Sequence, residues 1–273
     1  MHPVLFHIGP FLIPAYGVMA AVGVLLALGL ALRTARIVRI NPNHLWNLCI
    51  VALFSAIAGS RLFLIVLNWT IVRSHPAWLL SLAMIHHPLL AAISTVIALA
   101  VAIPLARKQH LPFRNTADAL VAPLAVGLAF EQLGALLSGA GFGTPSTAPW
   151  AVVYTHPLAA RWSGAPLFVP LHPVQAYAAL AFFVIALALC LALHRPRPRG
   201  DIAGFALLAF GATLYFTEFW RDPEGRGAFF HGALDAPQLV AIALVLAGTL
   251  FLLQRSAPQL PIAPAFTAEA HHD

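Results

Sequence analysis

The stretch LIPAYGVMAAVGVLLALGLAL (12–32) is followed at once by RTARIVR (33–39), and these two segments decide the fold class. An apolar run of about 20 residues is what a helix needs to cross a hydrocarbon core of about 30 Å. Arginines directly after such a run are typical of the cytoplasmic end of a membrane span. No short basic segment with a small-residue cleavage site precedes the run, so we expect a retained span and not a removed signal peptide.

The same pattern recurs along the chain. Six further apolar runs of similar length cover residues 44–68, 88–106, 117–139, 169–194, 202–220 and 236–254. With 60% hydrophobic and 9% charged residues among 273, the chain has too few polar side chains to cover the surface of a soluble domain. The sequence therefore predicts an all-α polytopic membrane protein with about seven transmembrane helices.

Basic residues outside the spans predict the orientation of the chain. One side of the predicted spans holds ten of the 15 basic residues, namely Arg33, Arg36, Arg39, Arg107, Lys108, Arg114, Arg195, Arg197, Arg199 and Arg255. The other side holds four, namely Arg73, Arg161, Arg221 and Arg226. This asymmetry predicts an amino terminus outside and a carboxyl terminus in the cytoplasm. It also accounts for the net charge of +6 without a nucleic-acid partner.

The chain is expected to form one transmembrane domain, residues 1–255, followed by a cytoplasmic tail, residues 256–273. The tail is rich in Pro and Ala without periodicity, which predicts disorder, and its two histidines are too few for a metal site. The longest segment between spans is the outer loop 140–168, in which PWAVVY (149–154) has a strand-like pattern. A loop of that length is usually functional or disordered. The sequence predicts no metal and no cofactor.

Polar side chains inside the spans gather near their predicted outer ends. At a rise of 1.5 Å per residue they all fall within roughly 3 to 12 Å of the outer surface. They are Tyr16, Arg61, Glu131, Gln132, His172, Gln175, Tyr177 and Glu218. A charge in the hydrocarbon costs at least about 2.5 kcal/mol, so such residues are normally paired and often functional. Arg61 and Glu131 have similar depth and opposite sign, and we expect them to form a pair. The inner halves hold little besides Asp118, which suits the start of its own helix.

Each of these residues also has a purely structural interpretation. Arg61 and Glu131 would then only join two helices, Tyr16 and Tyr177 would be interfacial anchors, and His172 would start a helix. The glycines of the fourth span and the following turn either let helices approach closely or bring backbone N–H groups to a ligand. These are Gly134, Gly139, Gly141 and Gly143. The gathering of so many polar groups in one layer favours a pocket open to the outer leaflet.

Such a layer suits an anionic lipid headgroup. Arginine matches phosphate oxygens, and a carboxylate or imidazole can move a proton. The residues alone therefore predict a phospholipid substrate.

Several stretches of the chain resemble the prolipoprotein diacylglyceryl transferases. These bacterial membrane enzymes move diacylglycerol from phosphatidylglycerol onto the cysteine thiol of a lipoprotein precursor. The similar stretches, in chain order, are HPVLFHIGP (2–10), AYG (15–17), GSRLF (59–63), GTPSTAPWAVVY (143–154), HPVQAY (172–177), RPRPRGDIAG (195–204), EFWRDPEG (218–225) and APQL (236–239). The resemblance implies a seven-span enzyme of the bacterial plasma membrane, with phosphatidylglycerol and a prolipoprotein signal peptide as partners.

If the chain is such a transferase, individual residues would take the following roles. Arg61, together with Arg221, would hold the phosphate of the lipid. Protons would be moved by the candidate catalytic residues, which are Glu131, His172 or Glu218. Of these, Glu131 is not an acid of the family pattern but a feature particular to this chain. The other candidate substrate-binding residues are Tyr16, Gln132, Ser138, Gly143, Gln175 and Tyr177. The loop 140–168 would admit the precursor peptide.

The fourth span departs from the family pattern. The family signature there is G-R-x-G-N-F-x-N-G-E, and the aligned residues are EQLGALLSGA (131–140), so Gln132 stands for the arginine and Ser138 for an asparagine. The family's His-Gly-Gly motif should fall near residues 91–94, where this chain has AAIS. Two alternatives to the transferase therefore stay open at this point. One is a non-enzymatic lipid- or lipoprotein-binding pseudoenzyme, and the other is a transferase of the same fold with a different lipid substrate.

Overall fold

The computed structural model describes residues 2–8, 11–74, 88–222, 228–229 and 234–254. Its long helices are α1 (Ala15–Ile37), α2 (Pro42–Leu67), α4 (Pro88–Lys108), α5 (Phe113–Ser138), α7 (Val174–Leu193), α8 (Asp201–Glu218) and α9 (Ala236–Leu253). Two short helices are α3 (Trp69–Ser74) and α6 (Pro157–Ser163). The predicted tail 256–273 lies outside the described residues, as do Pro223, Arg226 and Arg255.

The helices confirm an all-α polytopic membrane protein. Five of those described, α1, α2, α5, α7 and α9, are long and apolar enough to cross a membrane by length and composition. Helices α4 and α8 coincide with the two remaining predicted spans, and α8 begins and ends on a carboxylate, Asp201 and Glu218. The number of seven spans and the orientation of the chain stay predictions.

Short strands flank several of these helices. Strand β1 (Val4–Ile8) pairs with β2 (Phe11–Pro14) in an antiparallel hairpin that leads into α1. Strand β3 (Val152–Val153) pairs with β4 (Pro170–Leu171), so part of the strand-like run 149–154 is indeed a strand. Strand β5 (Ala228–Phe229) pairs with β6 (Leu234–Asp235) just before α9. Because β4 and Pro173 occupy the start of the fifth predicted span, α7 begins at Val174 and not at residue 169.

Hydrogen bonds join the ends of several long helices. At one end, the Arg114 side chain donates hydrogen bonds to the carbonyl oxygens of Arg199 (3.3 Å) and Gln254 (2.5 Å). The Asn115 amide donates to the Val38 carbonyl oxygen at the same end (3.3 Å). The loops predicted to be cytoplasmic therefore lie together, and the polar residues of the predicted outer layer belong to the opposite end.

Asp118 performs a different task from the one expected. Its carboxylate is buried and accepts hydrogen bonds from the backbone N–H groups of Gly200 (2.7 Å) and Ala203 (2.8 Å). Gly200 is the N-cap of α8 and Ala203 lies in its first turn, where backbone N–H groups have no partner within the helix. Asp118 thus caps a neighbouring helix and fixes α8 against α5, whereas the sequence suggested a role at the start of α5 itself.

Small residues set the packing of the bundle. Buried alanines of α5 and α7 face Ala203, Ala206 and Phe210 of α8 in the largest apolar cluster among the described residues. Helices α8 and α9 cross closely at Gly204 and Gly248, where a Cβ on Gly248 would lie 2.8 Å from the Gly204 carbonyl oxygen. Membrane helices have no hydrophobic driving force for association, because lipid tails are as apolar as their side chains. Close packing at small residues stabilises the association instead.

Candidate functional site

Backbone hydrogen bonds organise the predicted outer end. The Thr144 N–H donates to the Trp220 carbonyl oxygen (2.8 Å), just beyond the end of α8. On its other side, the Thr144 carbonyl oxygen accepts from the His172 N–H (2.9 Å), just before α7 begins. The start of the outer loop is therefore held between two helix ends that both carry predicted site residues.

Gly143 lies at the tightest point of this arrangement. It forms an isolated antiparallel bridge with Arg221, and a Cβ added to it would clash with the His172 carbonyl oxygen. A Cβ at this position would also lie 2.7 Å from Val174 Cγ2 and 2.8 Å from the Trp220 carbonyl oxygen. Glycine is thus required for close backbone packing. Its predicted role in substrate binding stays a prediction.

Glu218 and Arg221 form an ion pair beside this bridge. Arg221 Nε lies 3.1 Å from Glu218 Oε1, and the Glu218 side chain is only 1% exposed, whereas that of Arg221 is 20% exposed. Arg221 Nη1 lies against Gly141, where an added Cβ would approach it to 2.8 Å. The buried carboxylate therefore lies as a counter-charge on the Nε side of the guanidinium group, while Nη1 of the same group lies on the side of Gly141.

Tyr16, Glu131 and Gln132 form a second polar group in the layer. The Tyr16 hydroxyl on α1 donates to Glu131 Oε1 on α5 (3.2 Å), and the Gln132 amide donates to Glu131 Oε2 (2.5 Å). All three side chains are half-buried. The structure thus brings together three predicted site residues from two helices. The predicted pair of Glu131 with Arg61, which lies half-buried on α2, stays a prediction.

Tyr177 connects His172 with two tryptophans at the predicted outer end. The Trp150 indole N–H of the outer loop donates to the Tyr177 hydroxyl (2.7 Å), which lies 3.4 Å from His172 Nδ1. The ring of Tyr177 also makes an edge contact with Trp220. An open cleft of about 540 Å³ lies beside this group. It is lined by Pro145, Ser146, Thr147, Ala148, Pro170 and His172.

Two predicted binding residues instead contact the backbone where α5 ends. The buried Gln175 amide donates to the Ala140 carbonyl oxygen (2.8 Å). The buried Ser138 hydroxyl donates to the Ala135 carbonyl oxygen (3.2 Å) and accepts a long bond from the Ala140 N–H (3.4 Å). Their contact with a substrate stays a prediction, while their observed contacts shape the turn after α5.

Tyr154 closes the same turn from the outer loop. It is buried, and its hydroxyl donates to the Leu136 carbonyl oxygen (3.0 Å). Burial raises the pKa of Tyr154 to about 12, while a hydrogen bond with Gln175 acts in the opposite direction. The phenol therefore stays protonated at neutral pH and keeps its role as a donor.

Comparison with known proteins decides the family. The sequence model of the prolipoprotein diacylglyceryl transferases matches residues 3–254. The chain belongs to this family. A Photobacterium profundum protein named phosphatidylglycerol–prolipoprotein diacylglyceryl transferase is 26% identical over 262 residues, covering 92% of each chain. Proteins of the same name from Aliivibrio salmonicida and Vibrio cholerae are each 29% identical over 264 residues, covering 92% of this chain and 86% and 90% of theirs, respectively. The family resemblance is thereby confirmed, and the chain is a multi-pass membrane protein of a bacterial family.

Sequence reasoning missed two tryptophans that contact the predicted site residues of this prolipoprotein diacylglyceryl transferase family member. Trp150 is 62% exposed yet bonded to Tyr177, and Trp220 supplies the carbonyl oxygen that holds Thr144. The available signal was a tryptophan in each of two segments that resemble the family, GTPSTAPWAVVY and EFWRDPEG. Membrane tryptophans are so often interfacial anchors that this signal did not single them out.

Proposed function

We propose that this protein transfers a diacylglyceryl group from phosphatidylglycerol to the lipobox cysteine thiol of a prolipoprotein in the bacterial plasma membrane. The observation that carries the proposal is the family match across residues 3–254, together with relatives of that name aligned over 92% of the chain. The structure supports it with ionisable residues, among them Glu131, Glu218 and Arg221, at the predicted outer end of the bundle. No observation favours a pseudoenzyme or a transferase with another lipid.

The reaction needs an activated sulfur and a stabilised leaving group. The thiol loses its proton to a base, and the sulfur attacks the glyceryl carbon that carries the phosphate. A carbon–sulfur bond forms, the carbon–oxygen bond to the phosphate breaks, and glycerol phosphate leaves with the electron pair. Cationic groups near the phosphate stabilise the charge that develops there.

The described geometry suggests how the residues divide these tasks. Arg221, held by Glu218, presents its guanidinium group as a phosphate ligand, and Arg61 is a second candidate from α2. His172 borders the open cleft and is a candidate base for the thiol. Glu218 and Glu131 are the other candidates for moving protons. The signal peptide of the precursor would approach through the cleft formed by the outer loop. The remaining candidates for lipid contact are Tyr16, Gln132, Ser138, Gly143, Gln175 and Tyr177.

Complementation tests the proposed function directly. A bacterium whose own transferase is depleted receives this gene, and lipidation of a reporter prolipoprotein is followed by its mass and gel mobility. We expect the reporter to be lipidated with this gene and not with the empty vector. Failure to lipidate, with the protein confirmed in the membrane, would contradict the proposal.

A matched pair of variants locates the activity in the described layer. Arg221→Leu removes the proposed phosphate ligand, whereas Arg161→Leu removes another basic residue of the predicted outer side, on α6. We expect lipidation to fall at least about tenfold in the first variant and to stay within about twofold in the second. Equal activities at equal membrane levels would remove Arg221 from the proposed site.

A further inference from the structure

We infer that Glu131 is a positioning residue for Tyr16: its carboxylate fixes the Tyr16 hydroxyl at the headgroup layer and exchanges no proton with the substrate. The inference rests on the proposed function, because it assigns the way in which one residue of that layer acts. It replaces the expectation that Glu131 is one of the proton carriers.

The hydrogen bonds of Glu131 support a fixed acceptor. Tyr16 donates to one carboxylate oxygen at 3.2 Å, and Gln132 donates to the other at 2.5 Å. Each oxygen therefore has a donor from the protein itself, and the two bonds restrain both the position and the rotation of the carboxylate. A proton carrier has to exchange its proton with a substrate, whereas an acceptor for Tyr16 only has to stay in place.

The backbone of Tyr16 is held by the same face of α5. Gly134 follows Glu131 by three residues and so lies next to it on the helix surface. A Cβ on Gly134 would lie 3.1 Å from the Tyr16 carbonyl oxygen and 3.2 Å from its Cα, so the two helices nearly touch there. Close packing at Gly134 thus fixes the position of the Tyr16 backbone, and the hydrogen bond to Glu131 fixes the position of the Tyr16 hydroxyl.

This arrangement decides what Tyr16 presents to a ligand. A hydroxyl has one proton to donate and two lone pairs that accept. Since the proton of Tyr16 points to Glu131, the hydroxyl can meet a substrate only through its oxygen. Tyr16 is therefore an acceptor, which suits the hydroxyl groups of a glycerol headgroup and not a phosphate oxygen.

The neighbouring side chain of Gln132 allows a variant that distinguishes positioning by Glu131 from proton transfer by Glu131. Its Oε1 atom is buried and has no hydrogen-bond partner among the described residues. In Glu131→Gln, the new amide can still accept from Tyr16 through its oxygen and can donate to Gln132 Oε1. That variant keeps the acceptor for Tyr16 but has no ionisable group, whereas Glu131→Leu has neither.

The experiment compares Glu131→Gln, Glu131→Leu, Tyr16→Phe and the double variant Tyr16→Phe/Glu131→Leu in purified, lipid-reconstituted full-length protein. Thr34→Val is the matched control, because Thr34 donates to the Ala119 carbonyl oxygen (2.6 Å) and so joins the same two helices at their other end. The rate of transfer from phosphatidylglycerol to a lipobox substrate gives kcat and KM for the lipid.

Positioning predicts a distinct pattern of rates. We expect Glu131→Leu to raise KM for phosphatidylglycerol about tenfold with little change in kcat, and Glu131→Gln to stay within about threefold of wild type. In the Tyr16→Phe background, Glu131→Leu should add less than about a twofold effect, because the partner is already gone. Thr34→Val should leave KM unchanged. A loss of kcat in Glu131→Gln as large as that in Glu131→Leu would overturn the inference in favour of proton transfer. A KM change in Thr34→Val equal to that in Glu131→Leu would overturn it in favour of helix packing.

A second readout does not depend on activity. The chain has four tyrosines, so fluorotyrosine labelling gives four fluorine resonances, and Tyr16→Phe identifies that of Tyr16. We expect this resonance to be single and sharp in wild type and Glu131→Gln, and broadened or split in Glu131→Leu. An unchanged resonance in Glu131→Leu would overturn the inference. If the wild-type protein transfers no lipid, the proposed function fails, and the resonance still decides whether Glu131 positions Tyr16.

Discussion

At the scale of single residues, the ion pair of Glu218 and Arg221 shows how a charge is tolerated near the membrane surface. Removing one partner of a buried pair leaves the other charge in a poor solvent, which costs more than the pair itself contributes. Because Arg221 is partly exposed, the loss is smaller than for a fully buried pair. We expect Arg221→Leu to lower the free energy of unfolding by about 2 kcal/mol and Glu218→Gln by about 1 kcal/mol.

Thermal unfolding of detergent-purified protein measures this difference. The double variant Glu218→Gln/Arg221→Leu should be more stable than Arg221→Leu alone, since no buried carboxylate is left without its guanidinium partner. A double variant whose loss equals the sum of the two single losses would show that the residues do not interact.

Sequence reasoning at this scale found the residues but not their partners. Depth along a helix follows from residue number, so Tyr16, Glu131 and Glu218 could be assigned to one layer. Partners depend on how each helix is rotated about its axis, and one residue changes that direction by about 100°. The contact between Tyr16 and Glu131 spans 115 positions in the chain, and no local pattern encodes it.

At the scale of helices and strands, hydropathy predicted the long helices well. An apolar run of about 20 residues in a bilayer satisfies its backbone hydrogen bonds most readily as a helix. The β1–β2 hairpin was missed, since its short apolar strands resemble the start of the first span. The cap of α8 by Asp118 was also missed, because Asp118 and Gly200 are 82 positions apart. A cap supplied by another helix leaves no signal in the capped segment itself.

The cap of α8 leads to a prediction about stability. Asp118→Ala removes the acceptor of two buried N–H groups, and we expect it to lower the free energy of unfolding by about 2 kcal/mol. Asp118→Asn keeps one acceptor and should lose less. Thr116→Val is the control, because Thr116 bonds only locally to the Pro112 carbonyl oxygen (3.0 Å) in the same turn of α5. Thermal unfolding that is equally affected in Asp118→Ala and Thr116→Val would contradict the capping role.

At the scale of the whole molecule, the two ends of the bundle differ in chemistry. Most basic residues and the Asp118 cap belong to one end of the bundle. The polar layer and the aromatic residues Trp150, Tyr177 and Trp220 belong to the other end. Basic loops are retained on the cytoplasmic side of bacterial membranes. The polar layer should therefore face the outer leaflet, where a secreted precursor and its lipid donor are both accessible.

Cysteine labelling in oriented vesicles tests that orientation. Thr147 is exposed in the outer loop and His194 is exposed after α7, so each can be replaced by cysteine in a Cys49→Ala/Cys190→Ala background. A membrane-impermeant maleimide should label Thr147→Cys in right-side-out vesicles and His194→Cys in inverted vesicles. The reverse result would place the polar layer on the cytoplasmic side and would contradict an enzyme that meets its precursor after export. Labelling of both sites in one type of sealed vesicle would contradict the alternation of spans, since α7 alone separates the polar layer from His194.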